Sequence, residues 1–144
     1  MTRPPGFYFE DVTVGDRTVS PAVTLTQAHV SLYLGLSGES SDDPQEIPSL
    51  LPLALSTGLA WRLPTPPLVV TAFVGFDWEI VKPLRVGDTV HSRGRTASKR
   101  SMRDAGIVIE EHEIVDQRGE TAQRGRFTFL VAKRAAAASA VGRE

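Results

Sequence analysis

The chain has 144 residues, of which 41% are apolar and 23% are charged, and its formal net charge is -1 at pH 7. That composition excludes a disordered chain and a polybasic nucleic-acid-binding module, so we expect one globular domain over residues 1–134. The absence of cysteine excludes disulfide scaffolds, thiolate zinc sites and cysteine nucleophiles. No apolar run suits a membrane span or a signal peptide, which leads us to expect a cytoplasmic protein without a membrane contact.

Two segments are predicted to form helices. The first begins after Thr26, a residue suited to the N-cap, and runs to Gly38. The second runs from Ser49 to Trp61 with leucines on every side, which is typical of a buried helix. Ser49 is placed to cap this helix, and Pro52 lies in its first turn. Residues 38–48, between the two helices, are rich in turn formers and acids and predict a loop.

Segments rich in β-branched and aromatic residues predict strands, and the last three strands follow one another as a meander. The predicted strands cover residues 18–24, 68–74, 76–81, 89–98, 106–117 and 121–133. We therefore expect an α+β domain in which an antiparallel sheet of about five strands wraps around one buried helix. Residues 135–144 are mostly alanine without a periodic apolar face, and they predict a flexible C-terminal tail.

Four motifs follow one another between residues 7 and 134. The first is a Phe-Glu-Asp segment that leads to Val14-Gly15-Asp16, and the second is the first helix, which ends in Ser37-Gly38-Glu39. The third is a Phe-Asp-Trp-Glu strand at 76–79 followed by the turn at 82–89, and the fourth is the hairpin at 117–120. This ordered set resembles the MaoC-like hydratases and dehydratases, which have the hot-dog fold. The resemblance implies a hot-dog domain over residues 1–134 and an acyl substrate linked to coenzyme A or to acyl carrier protein. It also implies a homodimer, or a heterodimer with another hot-dog chain, and no cofactor.

The resemblance also directs attention to the loop after the first helix. In the family, an aspartate and a histidine in a Gly-Asp-x-Asn-Pro-x-His run add or remove water. Here Glu39 stands where the aspartate would be, and no histidine follows in the run that ends at Pro44. The usual acid–base pair is therefore absent.

Carboxylates in the same loop are the remaining catalytic candidates. A carboxyl group desolvated in an apolar cleft can have its pKa raised enough for acid–base work. Glu39 and Asp43 are the first candidates, and Asp42 is a further one. The alternative is that this acidic run is a solvated turn, which is the usual role of such runs.

The remaining candidates would bind substrate. The resemblance implies that the N-terminal amides of the buried helix, at Ser49, Leu50 and Leu51, stabilise an oxyanion at the thioester carbonyl. Ser49 could instead serve only as an N-cap. Trp78 is a candidate for contact with substrate, or for the core or an interface. His112, mid-strand between glutamates, could face a tunnel or a partner subunit, or could lie at the surface.

Other histidines and basic residues offer weaker signals. His29 lies in the first turn of the first helix and His91 near the start of a strand, and the spacing of the three histidines matches no metal motif. We therefore expect no metal. A basic turn could meet the phosphates of coenzyme A or an acidic carrier protein, or could only keep a sheet edge soluble. Its residues are Lys99, Arg100 and Arg103.

These observations leave three hypotheses for the function. The first is an enzyme on acyl thioesters or polyketide-like acyl chains, a dehydratase or hydratase relative with altered acid–base chemistry, such as isomerisation or cyclisation. The second is a catalytically silent hot-dog subunit that binds acyl chains and partners an active hydratase. The third is a thioesterase, which the Val-Gly-Asp turns favour less.

Overall fold

The computed structural model describes residues 6–135. One antiparallel sheet dominates this part of the chain. Its strands are β1 (Arg17–Val19), β2 (Val23–Thr24), β3 (Val70–Ile80), β4 (Thr89–Ser101), β5 (Ala105–Val115) and β6 (Thr121–Ala132). The order across the sheet is β1-β4-β5-β6-β3, and β2 also pairs with β4. The predicted α+β class and the β4–β6 meander are confirmed.

Two helices accompany the sheet, α1 (Gln27–Ser37) and α2 (Leu51–Leu59). Thr26 caps α1 as predicted, because its hydroxyl oxygen accepts the N–H of His29 at 3.4 Å. Gly38 ends the helix with φ 73°, a left-handed conformation that favours glycine. Local sequence chemistry therefore determines both ends of α1.

The start of α2 differs from the prediction. Leu50, not Ser49, occupies the N-cap position, and no side chain caps the helix. Pro52 does lie in the first turn. The helix ends at Leu59 and continues as a 3-10 turn over Ala60–Arg62, with Trp61 exposed. One side of α2 is buried and the other is open in the single chain, so the predicted all-round burial is wrong for the isolated domain.

Three strand predictions also need correction. The predicted strand over 18–24 is two short strands, because Pro21 interrupts the chain between β1 and β2. The two predicted strands on either side of Gly75 are one strand, β3, because a bulge absorbs the glycine at a register shift between Phe73 and Gly75. β4 extends to Ser101, so Lys99 and Arg100 lie on a strand and not in the predicted turn.

Two apolar clusters lie on one face of the sheet. The first joins Leu51 of α2 to Leu25, Val90 and Ile114, and the second joins Phe9 and Val12 of the N-terminal segment to Val108 and Val131. We call the face that carries both clusters the inner face and the opposite one the outer face. Residues 1–5 and 136–144, including most of the predicted tail, lie outside the described residues.

Candidate active site

The N-terminal end of α2 borders a pocket of about 340 Å³. Pro52 lines it from the first turn of α2, Ser49 from the residues just before the helix, Ile80 from the end of β3 and Gln123 from β6. The main-chain N–H of Leu51 donates to the carbonyl of Pro48 at 3.0 Å, so it is not free for a ligand. Within residues 6–135, the N–H groups of Ser49 and Leu50 have no protein acceptor. Ser49 is the one of these two residues that lines the pocket, which thus combines a free amide donor with mixed polar and apolar walls.

Gln123 connects Ser49 to Trp78. Only 2% of Gln123 is exposed, and its Nε2 donates to the main-chain carbonyl of Ser49 at 2.7 Å. Its Oε1 accepts the indole N–H of Trp78 at 2.9 Å. The structure therefore brings these two sequence candidates together through a residue that the sequence analysis missed. The available signal was a polar side chain at an alternating, inward-facing position of a predicted strand.

The loop carboxylates lie in two different settings. Glu39 is exposed and accepts the hydroxyl of Tyr33 at 3.0 Å. Burial, together with this neighbouring carboxylate, raises the pKa of Tyr33 above its ordinary value. Asp43 accepts the N–H of Gln45 at 2.9 Å and pairs with Arg85 at 3.0 Å, and these contacts hold the pKa of Asp43 below its usual range. A catalytic role for Glu39 or Asp43 stays a prediction.

The loop is tied to the sheet at its second half. Ile47 is buried in the first apolar cluster, and its N–H donates to the carbonyl of Leu84 at 2.9 Å. Val86 N–H donates to the carbonyl of Gln45 at 2.9 Å. Residues 43–47 are therefore anchored beside the turn after β3, whereas residues 38–42 are exposed.

His112 lies on the inner face near the middle of β5. Its Nε2 is 2.9 Å from Glu110 Oε2, and its Nδ1 is 3.4 Å from Ser92 Oγ on β4. Only 13% of the His112 side chain and 22% of that of Glu110 are exposed. Of the alternatives for His112, a fully solvated surface position is thus wrong.

Aromatic rings extend along the inner face beside His112. The ring of Phe127 is 4.7 Å from the His112 ring and 5.5 Å from that of Trp78, between centroids. Phe73 and Phe76 of β3 stack at 6.0 Å, and each is 53% exposed in the single chain. We call the set Phe73, Phe76, Trp78, Phe127 and Phe129 the aromatic wall. It provides an apolar surface next to polar groups, a combination typical of small-molecule sites.

Comparison with known proteins gives matches in structure only. No protein-family model matches the sequence, and no curated protein matches it either. The monoamine oxidase regulatory protein of Archaeoglobus fulgidus has a TM-score of 0.81 at 21% identity, covering 89% of this chain and 95% of that one. The MaoC-like dehydratase of Rhodospirillum rubrum has a TM-score of 0.72 at 23% identity, covering 90% and 99%. An R-hydratase of Pseudomonas aeruginosa has a TM-score of 0.74 at 13% identity, covering 90% and 88%.

The chain has the hot-dog fold of these MaoC-like dehydratases and R-hydratases. The matches extend over most of the chain in each case, so the likeness is that of the complete hot-dog sheet with its helices. The fold that the ordered motifs implied is thereby confirmed.

A second depression, of about 420 Å³, lies on the outer face of the hot-dog sheet. Its walls include Arg124 and Glu79, which pair across strands at 2.7 Å. They also include Glu111, which pairs at 2.7 Å with Arg95 of the neighbouring strand. The arginines lower the pKa values of Glu79 and Glu111. Exposed ion pairs of this kind contribute little and already satisfy one another. We therefore place the candidate site at the smaller pocket and the inner face.

The remaining candidates lie elsewhere on the hot-dog domain. Nδ1 of His29 is 3.1 Å from the N–H of Thr26, where it helps to cap α1, and His91 is half-buried on β4. Lys99 donates to the carbonyl of Val12 at 2.5 Å and lies 4.9 Å from the Phe9 ring centroid, so it anchors the N-terminal segment. Arg100 and Arg103 are exposed, and their contact with phosphate stays a prediction.

Over residues 6–135, no three His, Asp or Glu side chains are grouped so that they could hold a metal ion. No helix in that range has the length and apolar character needed to cross a bilayer.

Proposed function

We propose that this protein acts on acyl thioesters as a relative of the hot-dog dehydratases and hydratases, with acid–base groups other than the family's usual Asp/His pair. The reaction would be a dehydration, isomerisation or cyclisation of an acyl or polyketide-like chain. The acyl group would be carried by coenzyme A or by acyl carrier protein, and the working form would be a cytoplasmic dimer. The single observation that carries the proposal is the likeness of the whole domain to MaoC-like dehydratases and R-hydratases.

The pocket at the start of α2 supplies the chemistry for the thioester carbonyl. The N–H groups of Ser49 and Leu50 are free within the described residues, and the positive end of the helix dipole lies beside them. Donors of this kind stabilise the negative charge that develops on a thioester oxygen when the α-proton leaves. Trp78 and the rest of the aromatic wall would then carry the acyl chain.

A catalytically silent subunit is the second candidate. The Mycobacterium tuberculosis 3R-hydroxyacyl-ACP dehydratase among the structural neighbours is the HadBC complex. In the present chain the family histidine is missing from the loop, and β3 pairs on one side only within the described sheet. A partner hot-dog chain that bears the Asp/His pair would complete such a cleft.

The test is an assay of the purified full chain on 2-enoyl-coenzyme A thioesters of increasing chain length, followed by loss of the conjugated thioester absorbance. The enzyme proposal expects turnover by the protein alone. The subunit proposal expects no turnover alone, constant co-elution with a second hot-dog chain from the native source, and activity of the reconstituted pair. Absence of turnover in both arrangements, with enoyl and 3-hydroxyacyl thioesters alike, overturns the proposed function.

A further inference from the structure

The inner face carries a second set of acid–base groups that the family motif does not include. Val108, Glu110, His112 and Ile114 alternate along β5 and therefore share one face. Val108 packs with Phe9 and Val12 in one apolar cluster, and Ile114 packs with Leu51 of α2 in the other. Glu110 and His112 thus lie between two apolar clusters.

Burying a polar pair between apolar clusters costs free energy, so such a pair needs a compensating role. Arginine neighbours neutralise Glu111 on the outer face, whereas within residues 6–135 the ion-pair partner of Glu110 is His112, at 2.9 Å. His29 and His91 make no ion pair with a carboxylate within residues 6–135. His112 is therefore the histidine of the described chain that a carboxylate orients.

The geometry also determines which ring nitrogen can act. A carboxylate that accepts the Nε2 proton of an imidazole leaves the lone pair on Nδ1. Among residues 6–135, the hydrogen-bond partner of Nδ1 is Ser92 Oγ at 3.4 Å, which is long for a hydrogen bond to a hydroxyl. Nδ1 is thus available as a base.

Glycines make the space for this ring. Gly94 and Gly125 flank His112 in one cross-strand row, and a Cβ atom at residue 94 would lie 2.9 Å from His112 Cε1. A Cβ at residue 125 would lie 2.6 Å from the Trp78 ring. The row keeps the imidazole close to the sheet and beside the aromatic wall.

We propose that Glu110 and His112 form the acid–base pair of this protein, displaced from the loop after α1 to the central strand of the sheet. The inference rests on the proposed function. The substrate class is a 3-hydroxyacyl thioester, or its 2-enoyl product in the reverse direction, whose chain lies on the aromatic wall. His112 is the catalytic residue and Glu110 is a positioning residue.

His112 alone can serve as both the base and the acid of the dehydration. Nδ1 of His112 takes the proton from Cα of the 3-hydroxyacyl thioester, and the electron pair of that C–H bond forms the Cα–Cβ double bond. The C–O bond at Cβ breaks, and the imidazolium returns its proton to the departing hydroxyl, which leaves as water. Glu110 stays a carboxylate throughout and stabilises the imidazolium while it exists.

The experiment compares five glutamine variants of the full chain on 2-enoyl-coenzyme A and 3-hydroxyacyl-coenzyme A thioesters, at positions 39, 110, 112, 29 and 113. His112→Gln is expected to lower kcat by about 10²–10⁴-fold with little change in KM. Glu110→Gln keeps a hydrogen-bond acceptor but removes the charge, and is expected to lower kcat about ten- to a hundredfold with KM retained. His29→Gln, a histidine distant in the fold, and Glu113→Gln, on the outer face of the same strand, should keep kcat within about threefold.

Each outcome decides a different question. An active wild type whose His112→Gln variant folds and retains full kcat overturns the displaced pair but leaves the proposed function standing. A larger loss in Glu39→Gln than in His112→Gln also overturns it, since the loop carboxylate would then carry the chemistry. If His112→Gln fails to fold by circular dichroism, Glu110→Gln decides alone. A wild type inactive in every arrangement overturns the proposed function and, with it, this inference.

Discussion

At the scale of single residues, Gln123 links the candidate site to the core. Its two hydrogen bonds, to Ser49 and to Trp78, satisfy the amide of a side chain that is itself buried. Gln123→Leu keeps the volume approximately but leaves the Trp78 indole N–H and the Ser49 carbonyl without partners. We expect a loss of about 1–3 kcal/mol in the free energy of unfolding, measured by urea denaturation.

Gln117 is the matched control for this variant. It also makes two hydrogen bonds, accepting the N–H of Thr89 at 3.0 Å and donating to Asp88 at 2.9 Å, but it is exposed. Water replaces those partners in Gln117→Leu, so we expect a smaller loss than in Gln123→Leu. Equal losses in the two variants would show that burial at Gln123 contributes nothing.

At the scale of elements, the β5–β6 hairpin is closed by Asp116. Its Oδ1 accepts the N–H groups of Arg118 and Glu120 at 2.9 and 3.0 Å, and Oδ2 pairs with Lys82 at 2.6 Å. Lys82 also pairs with Glu120. The ammonium of Lys82 and these N–H groups hold the pKa of Asp116 well below its usual range. The hairpin is thereby joined to the turn after β3.

The pKa of Asp116 predicts how stability depends on pH. In the unfolded chain this aspartate would have a pKa of about 3.9 and would bind a proton as the pH falls towards 4. In the folded chain the same carboxylate is still ionised at that pH. Its stabilisation is therefore present above about pH 4 and is lost as the pH falls further towards the lowered folded value. Asp116→Asn should have a lower Tm at pH 7 and a Tm that falls less than that of the wild type between pH 5 and pH 3.

Asp104 provides the control for the pH series. It lies exposed in the turn between β4 and β5. Asp104→Asn should keep both the wild-type Tm at pH 7 and the wild-type decline below pH 5. If Asp116→Asn instead follows the wild-type curve at every pH, the proposed contribution of this carboxylate is wrong.

At the scale of the whole molecule, β3 is the strand that an isolated domain leaves open. It pairs with β6 on one side and with no described strand on the other. Its side chains are mostly exposed, and those of Phe73, Val74 and Phe76 are apolar. Open apolar edges favour pairing with another chain. We expect a dimer, with a mass by light scattering of twice the 15.6 kDa chain.

Val74→Glu tests that edge. The added charge should shift the protein towards the monomer, because burying a carboxylate at an interface without a partner is costly. Leu36→Glu is the control, since Leu36 is 81% exposed and lies on α1, which is not a strand of the sheet. A wild type that is a monomer at micromolar concentration, or a Val74→Glu variant that remains a dimer, would contradict the edge-pairing prediction.

The sequence alone determined what depends on neighbouring residues. Thr26 and Gly38 bound α1 through local hydrogen bonding and a left-handed backbone, and alternation along β4, β5 and β6 was enough to predict the meander. The ordered motifs also implied the hot-dog fold. The absence of a histidine after Glu39, where the MaoC-like run that the sequence resembles has one, was equally evident from sequence, because it concerns one short run of residues.

Tertiary structure decided everything that depends on residues far apart in the chain. Gly75 resembles a break between strands, yet β3 continues past it, because the strand pairs with β6 on both sides of a bulge. Ser49 has a side chain suited to a helix N-cap, but the helix begins after Leu50. The main-chain carbonyl of Ser49 instead accepts a hydrogen bond from Gln123, 74 positions later. Sequence could place His112 on a strand but not beside Ser92 and Phe127, because the register between strands sets which side chains meet on the inner face.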